Sequence, residues 1–170
     1  METTRMKIDQ GFLPILGHDP KVLILGTMPS VRSLEDQQYY AHPQNAFWWV
    51  MSELLKFDLL ESYAVRTHRL SENKIAVWDV ISACHRPGSL DSAIDQSSLT
   101  ANNFSGLIKH NTSIGLIVFN GQAAHKLFKK YVSLSNYTGD FLVMPSTSPA
   151  NAATSREAKL ASWRAIQSYL

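Results

Sequence analysis

Four short runs of nearly continuous apolar residues stand out along the chain. They cover residues 22–25, 75–81, 114–119 and 141–144. A strand of a parallel sheet is covered on both faces, so it reads as an unbroken apolar run rather than as an alternation of apolar and polar residues. The pattern therefore predicts four parallel strands spread over most of the chain.

Between these runs, apolar residues recur at the three- and four-residue spacing of helices that bury one face. Thr154 and Glu157 are spaced as a capping box and predict where the last helix starts. Strands that alternate with helices imply right-handed crossovers, so the predicted fold class is α/β, as a three-layer α/β/α sandwich. The helical sets are Phe47, Trp48, Met51, Leu54 and Leu55; Ala124, Leu127, Phe128 and Tyr131; and Leu160, Trp163, Ile166 and Leu170.

The length of the chain sets its domain organisation. The 170 residues, of which 45% are apolar and 18% are charged, suffice for one ordinary globular domain and are too few for two. The sequence contains no repeat, low-complexity tract or linker. We therefore predict a single domain over residues 1–170, with residues 1–12 as a loosely ordered amino-terminal segment.

Composition bears on location and cofactors. The single cysteine, Cys84, excludes an internal disulfide and suits a reducing compartment. Because Cys84 and His85 are adjacent rather than at ligand spacing, no metal site is predicted. The first ten residues lack the apolar core of a secretory signal, and no apolar run approaches the ~18 residues that span a bilayer. We expect a cytoplasmic protein outside the membrane, and the net charge of +2 is too small to predict a nucleic-acid partner.

The loop after the first predicted strand is unusually polar. Residues 37–45 read Q-Q-Y-Y-A-H-P-Q-N, a composition that core packing does not require. Loops at the carboxyl ends of parallel strands are where α/β proteins place their ligands. This loop is therefore expected to contact a flat and polar ligand.

Three segments of the chain have the composition of sequence motifs. The first reads G-T-M-P-S at residues 26–30 and Y-Y-A-H-P-Q-N-A-F-W at 39–48. The second reads M-P-S-T-S-P-A-N at 144–151. The third runs from W-D-V-I at 78–81 to C-H-R-P-G-S-L-D at 84–91. These segments resemble motifs of the uracil-DNA glycosylase superfamily, most closely those of its hypoxanthine (deoxyinosine) branch, and the resemblance is specific because three separate loops agree in the order that the family has.

The resemblance implies a four-stranded parallel sheet with strand order 2-1-3-4 and the activity of a monofunctional DNA glycosylase. Such an enzyme flips a deaminated base out of DNA and hydrolyses its N-glycosidic bond for base excision repair, with no cofactor and no metal. Hypoxanthine is the implied base. Uracil or a mismatched pyrimidine is one alternative, and a non-catalytic module that binds damage or a small ligand is another. The implied partner is double-stranded DNA, with single strands left open, and the implied state is a monomer.

The chain departs from better-known branches at the two positions where they hold a catalytic side chain. Met28 stands where those branches have Asp or Asn, and Met144 stands where they have His or Asn. By resemblance to the hypoxanthine branch, catalysis passes to Asn45, whose amide carbonyl orients a water. A neutral amide suffices when the bond breaks mostly before the water attacks, because the transition state resembles an oxocarbenium ion. The alternative is that Asn45 only caps the helix that begins near Phe47.

The family pattern also implies a set of base-binding residues. Phe47 is the expected stacking platform, with core packing as the alternative. Asp79 lies near the end of the second predicted strand, and its carboxylate can accept N1–H of hypoxanthine or N3–H of uracil while rejecting adenine. Asn120 is a second candidate reader, and capping of a local loop or helix is the alternative for both. The implied set is Gly26, Thr27, Met28, Tyr40, Phe47, Asp79 and Asn120.

The second motif is rich in Ser and Thr and suits a rigid loop that enters the minor groove and binds phosphates. The alternative is a plain turn ahead of the last helix. His42 is expected either to bind a phosphate or the base, or to be a turn residue whose hydrogen bonds are made within the chain. The basic residues between 66 and 74, and those between 126 and 130, are expected on solvated surface rather than on DNA. The implied DNA-binding residues are Pro29, Ser30, His42, Pro145, Ser146, Thr147, Ser148, Pro149 and Asn151.

Overall fold

The computed structural model describes residues 5–170. Within that range no helix is both long enough and apolar enough to cross a membrane. Short 3-10 turns cover Asp91–Ala93 and Arg164–Tyr169. The strands are β1 (Asp9–Gln10), β2 (Val22–Gly26), β3 (Ile75–Asp79), β4 (Ile81–His85), β5 (Asp95–Ala101), β6 (Leu116–Asn120) and β7 (Asp140–Met144). The helices are α1 (Val31–Asp36), α2 (Phe47–Leu55), α3 (Tyr63–Glu72), α4 (Phe104–His110), α5 (Gln122–Tyr131) and α6 (Arg156–Trp163).

Four strands form a parallel sheet with the order β3-β2-β6-β7. The central strand β2 pairs with β3 from Val22 opposite Ile75 to Gly26 opposite Asp79. All five residues of β2 are buried, as expected for a strand that is covered on both faces. In chain order these four strands are arranged 2-1-3-4, so the predicted α/β class and strand order are confirmed.

The parallel sheet separates two apolar clusters, because alternate residues of a strand point to opposite faces. Val22 and Ile24 join side chains of α2, α3 and α6 on one face. Leu23 and Leu25 join side chains of α4 and α5 on the other face. Helices on both sides of the sheet give the predicted sandwich.

A second, antiparallel sheet with the order β1-β4-β5 is not predicted by the apolar pattern. The run at 75–81 was expected to form one strand, but it divides after Asp79. The first part stays in the parallel sheet as β3, and β4 pairs with β5 instead. The sequence of β5 is D-Q-S-S-L-T-A, whose polar residues have low strand propensity and hide this element.

The antiparallel sheet also holds part of the amino-terminal segment. Gly11 donates its N–H to a β4 carbonyl at 2.7 Å. The indole N–H of Trp78 donates to the carbonyl oxygen of Phe12 at 3.0 Å. The prediction that residues 1–12 are loosely ordered is therefore wrong for 9–12, and residues 1–4 lie outside the described part of the chain.

Two helix starts differ from the sequence interpretation. The loop after β2 contains the short helix α1, which is capped by Ser30: its Oγ accepts the N–H of Ser33 at 3.1 Å. Helix α6 is capped by Ser155, whose Oγ accepts the N–H of Ala158 at 3.1 Å. The capping box predicted at Thr154 is therefore one residue too early.

Candidate active site

A cavity of about 380 Å³ opens at the carboxyl ends of β2, β3 and β6, where open α/β sheets place ligands. It brings together residues from all three motif segments. Of the site residues proposed from sequence, Phe47, Pro145 and Asn151 do not line it. Those that do are Gly26, Thr27, Met28, Pro29, Ser30, Tyr40, His42, Asn45, Asp79, Asn120, Ser146, Thr147, Ser148 and Pro149.

Gly26 ends β2 beside two polar side chains of the cavity. A Cβ atom built on Gly26 would lie 2.6 Å from Asp79 Oδ1 and 3.0 Å from Tyr40 Oη. The first distance is too short for any real Cβ contact. The glycine of the first motif therefore leaves the space that the carboxyl and phenol groups occupy.

Asp79 and Tyr40 carry polar atoms that the protein leaves unsatisfied. Within residues 5–170, Asp79 Oδ2 and Tyr40 Oη are buried and have no hydrogen-bond partner. Buried polar atoms are nearly always paired, because leaving one unpaired costs roughly 1–3 kcal/mol. Two such atoms, on residues that line one cavity, mark a place for the polar edge of a ligand.

The surroundings of Asp79 also change its acidity. Burial raises the pKa of this carboxyl group to about 7; the nearby Asp91 carboxylate acts in the same direction, and the Arg86 guanidinium opposes both. Burial likewise raises the pKa of the Tyr40 hydroxyl, Asp79 acts in the same direction, and the nearby Asn120 amide opposes both without reaching hydrogen-bond geometry; the hydroxyl therefore keeps its proton and can donate it in a hydrogen bond. The cavity thus offers one fixed donor and one group that changes from donor to acceptor near neutral pH.

The aromatic ring that lines the cavity is Tyr40 rather than Phe47. Phe47 is 0% exposed and lies in the core. Tyr40 stacks on it, with ring centroids 4.0 Å apart and planes inclined by 25°. The backbone φ of Tyr40 is 54°, in the left-handed region that few non-glycine residues adopt. The prediction that a base stacks directly on Phe47 is wrong, because Tyr40 covers that ring.

The neighbouring Tyr39 fixes the loop that carries Tyr40. Its hydroxyl donates to the carbonyl oxygen of Leu13 at 2.8 Å, and its N–H donates to Tyr63 Oη at 3.0 Å. The indole N–H of Trp48 donates to the carbonyl oxygen of Tyr39 at 2.9 Å. Tyr39 is therefore a structural residue, and its hydrogen bonds hold the loop in place.

Asn45 lies at the point where the loop enters α2. Its Oδ1 accepts the N–H of Phe47 at 2.9 Å, which is the helix-start role considered from sequence. Since a carbonyl oxygen has two lone pairs, this bond leaves room for a second donor such as water. The capping role and the water-binding role of Asn45 can therefore coexist.

Asn120 connects the end of β6 to the second-motif loop. Its Oδ1 accepts the N–H of Thr147 at 2.9 Å, and its Nδ2 donates to Thr147 Oγ1 at 2.9 Å. Thr147 is 0% exposed, so the prediction that its side chain binds DNA is wrong. Base reading by Asn120 stays a prediction, which would use the remaining lone pair and N–H of its amide.

The second-motif loop is braced internally. The Oγ atoms of Ser146 and Ser148 each accept a backbone N–H two residues ahead, at 3.1 Å. Asn151 donates to the carbonyl oxygen of Ser146 at 3.1 Å, and Pro145 accepts the indole N–H of Trp163 at 3.0 Å. Within residues 5–170 neither serine hydroxyl donates a hydrogen bond, so both retain a donor for an outside partner.

One ring nitrogen of His42 makes a hydrogen bond within its own turn. His42 Nδ1 accepts the N–H of Gln44 at 3.1 Å, as expected of a turn residue. In the neutral imidazole this acceptor role leaves the proton on Nε2. His42 therefore combines the turn role with one ring N–H that a phosphate or base can use.

Asp91 lines the cavity and Arg86 braces the backbone behind it, and the sequence analysis did not single out either as a site residue. Arg86 is 4% exposed and donates to the carbonyl oxygens of Gly88, at 2.9 Å, and Pro29. Thr27 donates its hydroxyl to Asp91 Oδ1 at 2.6 Å. The two residues connect the first motif to the third. One indication of their importance was present in the sequence, which is that both lie in the third motif segment at 84–91.

Sequence comparison places this geometry in a known family. The sequence model described as "Uracil DNA glycosylase superfamily" matches residues 14–168. The chain belongs to the uracil DNA glycosylase superfamily. The family assignment made from the three motifs is thereby confirmed.

Two curated relatives and one solved structure extend the match. A hypoxanthine DNA glycosylase from Methanosarcina acetivorans is 35% identical over 161 residues, which cover 94% of this chain and 98% of the relative. A hypoxanthine DNA glycosylase from Methanosarcina barkeri is 37% identical over 114 residues, which cover 66% of this chain and 71% of the relative. The solution NMR structure of a candidate uracil DNA glycosylase from Methanosarcina acetivorans has a TM-score of 0.76 at 32% identity and covers 95% of this chain and 99% of its own.

Within this superfamily fold, the two methionine positions supply no water-binding group. Met28 is 7% exposed on the cavity wall, and Met144 is 9% exposed in the core beside α2 and α6. A thioether is only a weak hydrogen-bond acceptor. Within residues 5–170 no three His, Cys, Asp or Glu side chains form a group that could hold a metal ion.

Proposed function

We propose that this superfamily member is a monofunctional DNA glycosylase that removes hypoxanthine. The observation that carries the proposal is the pair of unsatisfied buried atoms, Asp79 Oδ2 and Tyr40 Oη. The Watson–Crick edge of hypoxanthine offers N1–H as a donor and O6 as an acceptor. The Asp79 carboxylate accepts from N1–H and the Tyr40 hydroxyl donates to O6, so a flipped-out base satisfies both atoms.

The same pair accounts for rejection of adenine. Adenine has an acceptor at N1 and a donor at N6. The Asp79 carboxylate would therefore face another acceptor, and the Tyr40 hydroxyl would face another donor. The relative from Methanosarcina acetivorans that is named a hypoxanthine DNA glycosylase supports the choice of base. Uracil offers N3–H and O4 with the same polarity as hypoxanthine, which makes it the second candidate.

In this proposal Tyr40 reads the edge of the flipped base through its hydroxyl. One side of the Tyr40 ring rests on Phe47, with ring centroids 4.0 Å apart, and this contact fixes the direction of the hydroxyl. Phe47 therefore acts on the base only through Tyr40.

Cleavage of the bond uses water and forms no covalent enzyme intermediate. Asn45 Oδ1 orients the water with the lone pair that Phe47 leaves free. As the bond from C1′ to N9 breaks, its electron pair leaves with the base and the sugar becomes oxocarbenium-like. The water adds to C1′ and loses a proton, and the departing base takes up a proton. The products are free hypoxanthine and an abasic site in an uncut strand.

Incubation of the chain with labelled duplexes that contain one inosine, one uracil or neither tests this proposal. We expect strand breaks only after alkali treatment, faster for inosine than for uracil and absent from the undamaged duplex. The undamaged duplex is an essential control, because guanine shares N1–H and O6 with hypoxanthine. Release of uracil alone would assign the chain to the second candidate. Binding of damaged DNA without release of either base would make it a non-catalytic module.

A further inference from the structure

A second cavity, of about 660 Å³, adjoins the base-binding cavity. The two cavities share Tyr40, His42, Asn45 and Pro149 in their linings. An occupant of the first that continues as a chain can therefore pass into the second. We call the second cavity the tryptophan groove; its defining residues are Trp48, Trp49, Arg66, Arg156 and Lys159.

Lys159 is an unusual residue to find in such a lining. It is only 5% exposed, yet its Nζ makes one hydrogen bond within residues 5–170, at 3.3 Å to the carbonyl oxygen of Ser148. Lysine side chains are almost never buried unless they are paired with an opposite charge. An ammonium group has three donors, so a buried one with a single neutral partner is suited to an anion.

Two arginines line the same groove as this lysine, each over a tryptophan ring. The Arg66 guanidinium carbon lies 4.6 Å from the centre of Trp48, and that of Arg156 lies 4.4 Å from the centre of Trp49. Such stacking holds the cations in place. Arg66 is half-buried, so the expectation that the basic residues between 66 and 74 are all solvated is wrong for this one.

The electrostatic character of the groove is positive. Among the described residues that line it, none is Asp or Glu; the exposed Arg156 does pair outside the lining with Glu157 at 3.3 Å. The first turns of α2 and α6 also line the groove, and helix amino termini favour anions. A guanidinium group lies over each tryptophan ring. An occupant of the groove therefore meets the arginine cations rather than the uncovered face of an indole ring.

We propose that the tryptophan groove binds a backbone phosphate of the DNA strand next to the flipped nucleotide. The inference rests on the proposed function, since a DNA duplex that docks over the mouth of the base cavity is what brings a phosphate into the groove. Lys159 supplies the buried charge, and Arg66 and Arg156 supply planar donors in the same lining. These contacts are independent of base identity and act on affinity for any sequence.

The test compares Lys159→Met, Arg66→Gln and Arg156→Gln with Lys126→Met as the control. Lys126 is exposed on α5, on the opposite face of the parallel sheet, so the control removes the same charge elsewhere. Affinity is measured for undamaged and inosine-containing duplexes between about 50 and 200 mM salt. Each groove variant should weaken binding of both duplexes by a similar factor. Each should also reduce the slope of log K against log salt by about 0.9, with no change of slope in the control.

Unchanged slopes in all three groove variants would overturn the inference. A slower single-turnover rate at saturating DNA, with an unchanged slope for Lys159→Met, would also overturn it, because Lys159 would then only position the loop through Ser148. Thermal melting identifies variants that fail to fold, and the exposed Arg156→Gln decides the matter if the buried lysine cannot be replaced. Binding to undamaged DNA needs no base release. A failure of the proposed glycosylase reaction would therefore leave this binding test intact, and the two failures can be told apart.

Discussion

The carboxyl group of Asp79 is buried, and its pKa is raised from the ordinary 3.8 to about 7. In the unfolded chain this group ionises near its ordinary value. The native state therefore holds an additional proton between about pH 4 and pH 7. The stability that comes from this proton is fully present below pH 4 and is lost as the pH rises toward 7.

Replacement of Asp79 by Asn should flatten this profile. We expect the parent to lose unfolding free energy on the order of 4 kcal/mol from pH 4 to pH 7, and Asp79→Asn to lose much less. Denaturant unfolding at a series of pH values measures both. The exposed Asp19→Asn is the matched control and should follow the parent. Identical profiles for the parent and Asp79→Asn would mean that Asp79 ionises normally in the native state.

The activity of the parent should change with pH in the opposite direction. The carboxylate form of Asp79 accepts N1–H of hypoxanthine, so release of inosine base should rise as the pH passes through about 7. A neutral amide keeps an acceptor oxygen at every pH. Asp79→Asn should therefore release the base with little pH dependence in single-turnover assays. The same rise with pH in the variant would assign the titration to another group.

Asn45→Ala separates the two roles of this amide. Loss of water orientation should slow base release several hundred-fold, corresponding to about 2–4 kcal/mol of barrier. Loss of the bond to Phe47 N–H should cost only about 1 kcal/mol of stability. Single-turnover rates and denaturant unfolding measure these effects, with the exposed neighbour Gln44→Ala as control. A rate within a few-fold of the parent would leave Asn45 as a helix cap only.

At the scale of elements, the second-motif loop is held as one rigid piece. Asn120 binds Thr147 through both ends of its amide. Trp163 of α6 holds Pro145 at the start of the loop, and the internal bonds to Ser146 and Ser148 fix its turn. What the loop presents to a partner is therefore a fixed pair of hydroxyl donors.

Removal of both hydroxyls tests the role of this loop. The variant with Ser146→Ala and Ser148→Ala should bind inosine-containing and undamaged duplexes more weakly by a similar factor, since phosphates are common to both. The ratio of inosine to uracil release should be nearly unchanged. Ser133→Ala with Ser135→Ala, on an exposed segment, is the matched control. If only the damaged duplex lost affinity, the loop would be reading the base.

At the scale of the whole molecule, the amino-terminal segment is linked to the cavity. The ring of Phe12 packs edge-on against Tyr39 at 5.1 Å, and Tyr39 fixes the loop that carries Tyr40. Deletion of residues 1–12 should therefore lower Tm by roughly 5–10 °C, as expected for a loss of 2–3 kcal/mol, and should slow base release. Deletion of 1–6 should leave both unchanged. Equal behaviour of the two deletions in melting and activity assays would show that strand β1 is dispensable.

The sequence predicted what depends on burial pattern and missed what depends on neighbours distant in the chain. The parallel strands are apolar on both faces, so their pattern is local, whereas β5 is polar and exists because β4 pairs with it. The family resemblance implied both Tyr40 and Phe47 as base-binding residues but could not decide which ring faces the cavity. That depends on the left-handed backbone at Tyr40. The contacts of Arg86 join residues 57 positions apart, which no local pattern reveals.

The missing side chain at Gly26 has a consequence for how this site can change over generations. A methyl group there would meet Asp79 at 2.6 Å and Tyr40 at 3.0 Å, so a lone substitution at position 26 is blocked by two partners. Any lineage that acquires a larger residue at 26 should also have altered residues 79 and 40. Residues 79 and 40 can change while Gly26 stays, whereas a side chain can be gained at 26 only after space has been made at 79 and 40.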